Sequence, residues 1–246
     1  SYRGSKYNFL DILITRMLHS FYDKIIFYTK NSLIKALNLK LIKKNKGFFA
    51  NNTVYTIEIN KLYNFEIPKS DNITLLFIGR LIPNKNLEAL FEYFHKLKNV
   101  LSKKGKDLEL IIIGDGPKKD MILKNIKGNP EINYVGPLTS ESDIKKYMIE
   151  ANYVFNPGHS GLHINHSFCY GRPYITLQRK NHAPEIDYLI DSYNGYLLDG
   201  NTENDIEKLC KIFLESNDNI YHNAYDTGKS LSTDEWCAQI IKSILA

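Results

Sequence analysis

Three histidines fall within eight positions of GHSGLHINHSFCYGRP (158–173): His159, His163 and His166. Their i, i+4, i+7 spacing is one face of a continuous helix. Imidazoles so arranged could ligate zinc, which takes three or four N, S or O ligands at about 2.0–2.1 Å. A second stretch, GRLIPNKN (79–86), presents Arg80 and Lys85 after Gly79 and just before a helical pattern. Two cations beside a helix N-terminus make an anion site; the plainer alternative is two surface cations on a loop. Glu185 and Asp187 in NHAPEIDYL stand at i, i+2 and do not share a helix face. They read either as first-turn charges of a helix or as contacts to a ligand.

The zinc reading requires a helix already running through 159. Pro157, Gly158 and Gly161 start the helix near 161 instead and leave His159 in the preceding loop. No acid lies between 153 and 184 to complete a ligand set, and no D-x-D occurs anywhere. No metal or other cofactor is therefore expected. His166 remains open between ligand binding and a structural use, and His163 reads as packed or exposed. GDGPKK (114–119) lacks both G-x-x-x-x-G-K-[ST] and G-x-G-x-x-G. Alone it is a turn with Pro117 at a helix start.

These residues need a scaffold, and the chain has the material for one. It is 246 residues long, 43% apolar and 24% charged, with a net charge of +5. The longest apolar runs are far short of the ~20 residues that span a bilayer. Cysteines 169, 210 and 237 are odd in number and far apart, which suits free thiols in a reducing compartment. Lysines cluster at 40–46 and 96–106. They read as solvated faces or as attraction to phosphates or an anionic membrane surface. Nucleic acid is not expected, because aromatics do not alternate with the basic residues.

Along the chain, helical spacing is expected over 9–21 and 31–39, with a strand at 23–29 and, in KGFFANNTV (46–54), a strand running into an Asn-rich loop. That fragment cannot close a sheet, so it reads as the end of a domain whose earlier part lies elsewhere. From 72 onward the pattern is regular. Apolar strands are expected at 72–79, 108–114, 132–136, 153–157, 173–177 and 195–199. Helices are expected at 87–101, 118–126, 141–151, 184–190, 203–215 and 234–245. Wholly apolar strands separated by helices imply a doubly wound, Rossmann-like parallel sheet in an α/β fold, with ligands at the carboxyl ends of the strands.

The order GRLIPNKN, GDGPKK, VGPL (135–138) and NPGHSGLHINHSFCYGRPYIT resembles the C-terminal domain of a retaining glycosyltransferase of family four, with the GT-B fold. The resemblance covers residues 25–245. It implies a remnant of a second Rossmann-like, acceptor-binding domain and a linker at 1–58, a nucleotide-sugar domain at 59–231, and a helix at 232–246 crossing back. By resemblance, Arg80 and Lys85 grip the donor diphosphate and serve catalysis. Gly79, Leu138, Ser160, Gly161, Leu162, His166 and Glu185 complete the donor site, with the amides around Ser160 aimed at the diphosphate. Two family glutamates fall on Gly158 and His166, so neither carboxylate is present. An imidazole can accept one hydroxyl and donate another hydrogen bond, where a carboxylate holds two hydroxyls.

The activity implied is transfer of a sugar from a nucleotide-diphosphate sugar to an acceptor hydroxyl with retention, in cell-surface polysaccharide or lipid-linked glycan synthesis. The expected location is the cytoplasm or, peripherally, the inner face of a bacterial membrane. Little transfer is expected from this chain alone. The rival, favoured by the missing carboxylates, is a module that holds a nucleotide without transferring sugar.

Overall fold

A strand made only of apolar residues is stable where both its faces are covered. In the computed structural model, which describes residues 9–215 and 217–245, that condition organises most of the chain. After helix α1 (Phe9–Ser20) come strand β1 (Ile25–Phe27), helix α2 (Lys30–Asn38), strand β2 (Gly47–Phe49) and helix α3 (Thr56–Leu62). Then follow β3 (Ile73–Ile78), α4 (Leu87–Ser102), β4 (Leu108–Ile113), α5 (Lys119–Ile126), β5 (Ile132–Gly136) and α6 (Glu141–Glu150). The chain continues through β6 (Tyr153–Phe155), α7 (His163–Cys169), β7 (Tyr174–Leu177), β8 (Gly195–Leu198), α8 (Thr202–Leu214), α9 (Asp218–Ser230) and α10 (Thr233–Leu245).

Strands β3 to β8 form one parallel sheet in the order β5-β4-β3-β6-β7-β8. The chain starts at the centre with β3, winds outward to β5, and returns to the other side of β3 with β6. The two halves therefore meet between β3 and β6, which is where a doubly wound sheet opens a crevice for ligands. All six residues of β3 are buried. Leu75 and Phe77 face a core shared with Leu90, Phe94 and Leu97 of α4 and Leu209 of α8. Leu76 and Ile78 face the opposite core, with Met148 of α6 and Phe168 of α7. Among the described residues, strands β1 and β2 pair only with each other, also in parallel.

Three details depart from the sequence expectation. Residues 184–190 were expected as a helix, and a 3-10 turn, Pro184–Tyr188, forms instead. Helix α3 and helix α9 were not expected. The α9 segment is polar apart from Ile220, Tyr221, Ala224 and Tyr225, and carries Gly228. That glycine lies so close to α7 that a Cβ would overlap the carbonyl of Phe168. Its helix is selected by packing more than by its own stripe. Helix α3 is tied from afar: the Thr56 amide donates to Thr233 Oγ1 at 3.1 Å, at the start of α10. Beyond that junction α10 lies against the small sheet, where Gln239 Oε1 accepts the Asn51 amide at 2.7 Å. No helix among the described residues is long and apolar enough to cross a membrane.

Candidate functional site

The crevice between β3 and β6 is built from three chain exits. At the first, β3 ends in Gly79 (φ 153°) and Arg80. Its Leu81 amide donates to Asp115 O at 2.8 Å, which ties this loop to the turn after β4. Gly114 in that turn packs so tightly that a Cβ there would overlap the Gly79 carbonyl. GDGPKK thus fits the two loops together.

Past Arg80, a 3-10 turn (Pro83–Lys85) and a left-handed Asn86 (φ 53°) deliver the chain into α4. This turn folds Lys85 inward: it is only 5% exposed. Its ammonium donates to the His159 carbonyl at 2.6 Å. Burial, and then the Arg80 guanidinium nearby, bring its pKa down to about 8. An ammonium has three donors, and one protein acceptor is in place here. This buried cation is electrostatically suited to an anion.

The second exit follows β6. The His159 amide donates to Asn84 O at 2.8 Å, so the loop after β6 is stitched to the Lys85 turn. At Gly158 a Cβ would overlap the Lys85 backbone. The glutamate expected at this position from the family pattern is therefore not merely replaced. Its space is occupied by residue 85.

Ser160 corrects the sequence reading. It is fully buried. Its amide donates to His182 Nδ1 at 3.1 Å, and its hydroxyl accepts from Tyr174 OH at 3.0 Å. Both polar groups are engaged in holding the loop to the sheet, so Ser160 is an anchor and its N–H is not free for a phosphate. The partner, His182, gave no signal in the sequence, because its role depends on the loop returning from β7. The next amides, of Gly161 and Leu162, have no hydrogen-bond partner among the described residues, and they lead directly into α7.

The third exit, after β5, brings Leu138 opposite the first turns of α7. Gly79, Arg80, Leu138, Ile144, His163 and His166 share a cleft of about 420 Å³. His163, which read as packed or exposed, borders this cleft half-buried, under Gly79. Burial, then the charges of Lys85, His166, His159 and Arg80, pull its pKa to about 3. It is thus a neutral ring, and its buried Nδ1 has no hydrogen-bond partner among the described residues.

His166 is paired. Its Nε2 lies 2.9 and 3.1 Å from the two carboxylate oxygens of Glu141, the first residue of α6. Tyr170 OH donates to the same carboxylate at 2.6 Å. Burial opposes ionisation of Glu141, but the hydrogen bonds from His166 and Tyr170 and the attraction to the imidazole prevail and hold it below the ordinary carboxylate range. Sequence reasoning missed Glu141, because nothing along the chain links residue 141 to residue 166.

Glu185 is buried behind the α7 loop, with Oε2 near Gly161. Asn52 Nδ2 donates to its Oε1 at 2.5 Å, and Thr29 Oγ1 donates to Asp187 Oδ2 at 2.7 Å. Both acids thus contact the N-terminal part of the chain. The Oε2 of Glu185 has no hydrogen-bond partner among the described residues. Among the described residues no group of three or more His, Cys, Asp or Glu side chains is placed to hold a metal ion.

Comparison with known proteins identifies the family and the fold. Residues 72–215, more than half the chain, match the family described as glycosyl transferases group 1. An uncharacterized glycosyltransferase of Haemophilus influenzae is 26% identical over 227 residues, covering 89% of this chain and 59% of that protein. One from Methanocaldococcus jannaschii is 26% identical over 87% of this chain and 58% of its own length. The chain thus spans about three-fifths of these relatives. Among solved structures, Staphylococcus aureus TarM aligns with a TM-score of 0.69 at 17% identity, over 99% of this chain and 49% of TarM. HepE of Anabaena, solved with UDP, aligns at 0.67 and 14%, over 97% of this chain and 68% of its own. At such identities the shared property is the fold: α/β, Rossmann-like, of the GT-B glycosyltransferase type.

Proposed function

Because this chain belongs to the group 1 glycosyl transferases, we propose that it binds a nucleoside-diphosphate sugar and serves its transfer to an acceptor hydroxyl with retention at the anomeric carbon. One observation carries the reading: Arg80, a buried Lys85 and the unpartnered amides before α7 sit together at the β3–β6 crevice. Charge grows on the departing diphosphate as the sugar leaves, and fixed donors aimed at that charge are the largest catalytic contribution in most such sites. Arg80 supplies two or more N–H groups in a fork, and Lys85 supplies a point charge. Each charged hydrogen bond contributes roughly 1.5–3 kcal/mol. Gly161 and Leu162 add backbone donors in place of the anchored Ser160. Leu138 lines the nucleoside side of the cleft, His166 meets the ligand, and the free oxygen of Glu185 stands toward the donor sugar.

We assign the acceptor to a cell-surface polysaccharide or lipid-linked glycan. A Klebsiella pneumoniae relative from a cps region, 28% identical over 62% of this chain, supports that assignment. So does TarM, which was solved with UDP and a GlcNAc-glycerol. The enzyme so described works in the cytoplasm or at the inner membrane face. Residues 1–58 belong to the acceptor half of the two-domain arrangement, and this chain alone transfers little.

The test is a thermal-shift panel of UDP, GDP, ADP and their sugars, on the wild type and on Arg80→Ala and Lys85→Ala. A shift with one nucleotide that both variants abolish is expected; no shift with any nucleotide removes the proposal. The lack of space for a side chain at Gly158 favours a second reading, nucleotide binding without transfer. A shift with no turnover, even with the full-length protein, would select it.

A further inference from the structure

The loop after β7 carries charges for which the diphosphate site has no use. Arg179 and Lys180 stand at its tip, in LQRKNHAP (177–184). The loop is held at both ends. The Gln178 amide donates to Leu198 O at 2.7 Å, and the Ala183 amide donates to Ser160 O at 2.9 Å. His182 ties it again: Nδ1 accepts the Ser160 amide, so the ring hydrogen is on Nε2, 2.8 Å from Leu177 O. The tip is thereby fixed beside the loop after β6, whose His159 carbonyl accepts from Lys85.

Arg179 is half-buried there. Its guanidinium makes no hydrogen bond or ion pair among the described residues. Its charge reaches His159. Burial, then Lys85, hold that imidazole below its ordinary range; Arg179 acts in the same direction and Glu185 opposes them. A guanidinium cannot shed its proton. Placed partly out of water and near a second cation, it is stabilised by an anion.

The donor diphosphate does not supply that anion, because Arg80 and Lys85 match it with one cation for each phosphate. The donor sugar does not supply it either. The unpartnered Oε2 of Glu185, placed toward that sugar in the proposed site, repels a negative group. The loop instead runs into the turn Pro184–Tyr188. There Glu185, Asp187 and Tyr188 bond Asn52, Thr29 and the Tyr28 carbonyl. Arg179 thus stands where the crevice meets the N-terminal part of the chain, the part assigned above to the acceptor.

We propose that Arg179, with Lys180 next to it in the loop and His159 beside it, forms a second anion subsite on the acceptor side of the crevice and selects acceptor glycans that bear a carboxylate or a phosphate. A guanidinium fork takes either group. The inference rests on the nucleotide-sugar reading of the crevice and deepens it by naming the charge of the acceptor.

The experiment is isothermal titration calorimetry at about pH 7.5 and low salt, on protein saturated with the nucleoside diphosphate that shifts the wild type. The probes are methyl glucoside, methyl glucuronide and glucose 6-phosphate: neutral, carboxylate and phosphate. In the wild type both charged probes bind about tenfold more tightly than the neutral one, as one charged hydrogen-bonded pair gives. In Arg179→Gln that preference drops to about twofold or less, and in Lys180→Gln it drops in part. Lys103→Gln, at the far end of α4, keeps it. Thermal melts of each variant report folding. A second arm compares nucleoside-diphosphate glucose with nucleoside-diphosphate glucuronate, whose affinity ratio is the same in the wild type and in Arg179→Gln.

No preference for the charged probes in the wild type, including no binding of any probe, overturns the proposal. So does a preference that Arg179→Gln leaves intact. A donor ratio that changes in Arg179→Gln places the anion on the donor sugar and overturns the acceptor assignment. Absence of nucleotide binding to the wild type overturns the nucleotide-sugar reading itself, whatever the probes do, so the two failures are distinct.

Discussion

The described residues form two parallel sheets, and they differ in what covers them. In the six-stranded sheet every residue of β3 is buried, and helices lie on both faces. In the two-stranded sheet only Phe27 is buried among the six strand residues. Helix α1 has no buried residue and exposes Phe9, Leu13, Met17 and Leu18. Both regions follow the same grammar of apolar strand, turn and amphipathic helix. The difference teaches that this grammar specifies which faces seek cover and leaves open how much cover the chain itself provides.

Charge divides along the same line. Ten of the 32 basic residues but two of the 27 acidic ones fall in residues 1–50, which leaves 22 against 25 and a net −3 for residues 51–246. Lys96 and Lys98 of the second lysine cluster pair with Glu92 and Glu131. In the first cluster, Lys40, Lys43 and Lys46 line a cavity with Arg16 and His19. The positive balance therefore belongs to the sparsely covered region and not to the crevice.

The comparison can be broken by stability measurements. Phe77→Ala empties a fully buried position of the large sheet and is expected to cost about 3–5 kcal/mol in urea denaturation. A cost below 1 kcal/mol would show that this core is not tightly packed. Arg172→Met comes next. This arginine is fully buried, and its guanidinium donates to the carbonyls of Met148, Glu66 and Ile149 and to Tyr63 OH. Orphaning those acceptors is expected to cost about 2–4 kcal/mol, partly offset by apolar packing of the methionine.

Lys85 gives a pH signature of intermediate size. Its pKa is about 8 in the fold and 10.5 in the free side chain. Between these values the unfolded chain holds a proton that the native chain has released, so native stability rises with pH across that window. For the proposed nucleotide site, affinity is expected to run the other way and fall above pH 8 as the cation is lost. Opposite slopes from denaturation and calorimetry, both flattened in Lys85→Met, are expected; parallel slopes would place the titration elsewhere. The smallest effect is Met17→Ala on the exposed face of α1, within about 0.5 kcal/mol. A larger loss would mean that α1 is covered in solution.

Much of the scaffold was legible in advance. Runs such as LLFI and LIII are apolar at every position, so they call for a sheet covered on both sides, and the helices between them set its parallel sense. The 3-10 turn at 184–188 and helix α9 were not legible, because a short segment rich in polar residues takes its conformation from its neighbours. At the site, Arg80 and Lys85 stood out by type and position. Ser160 misled, since a loop serine has the same appearance whether its amide faces a ligand or a buried histidine.

The sequence by itself determined the order of the strands of the large sheet, most of the helices between them and the cations that follow its first strand, because side-chain periodicity and local turn chemistry are properties of neighbours along the chain. Only the tertiary structure decided that the Lys85 backbone occupies the space beside Gly158, that Ser160 is anchored by His182, and that Glu141 reaches His166. Those pairings depend on how far one packed element is offset from another. That offset is set by the summed packing of the cores, and no single stretch of residues encodes it.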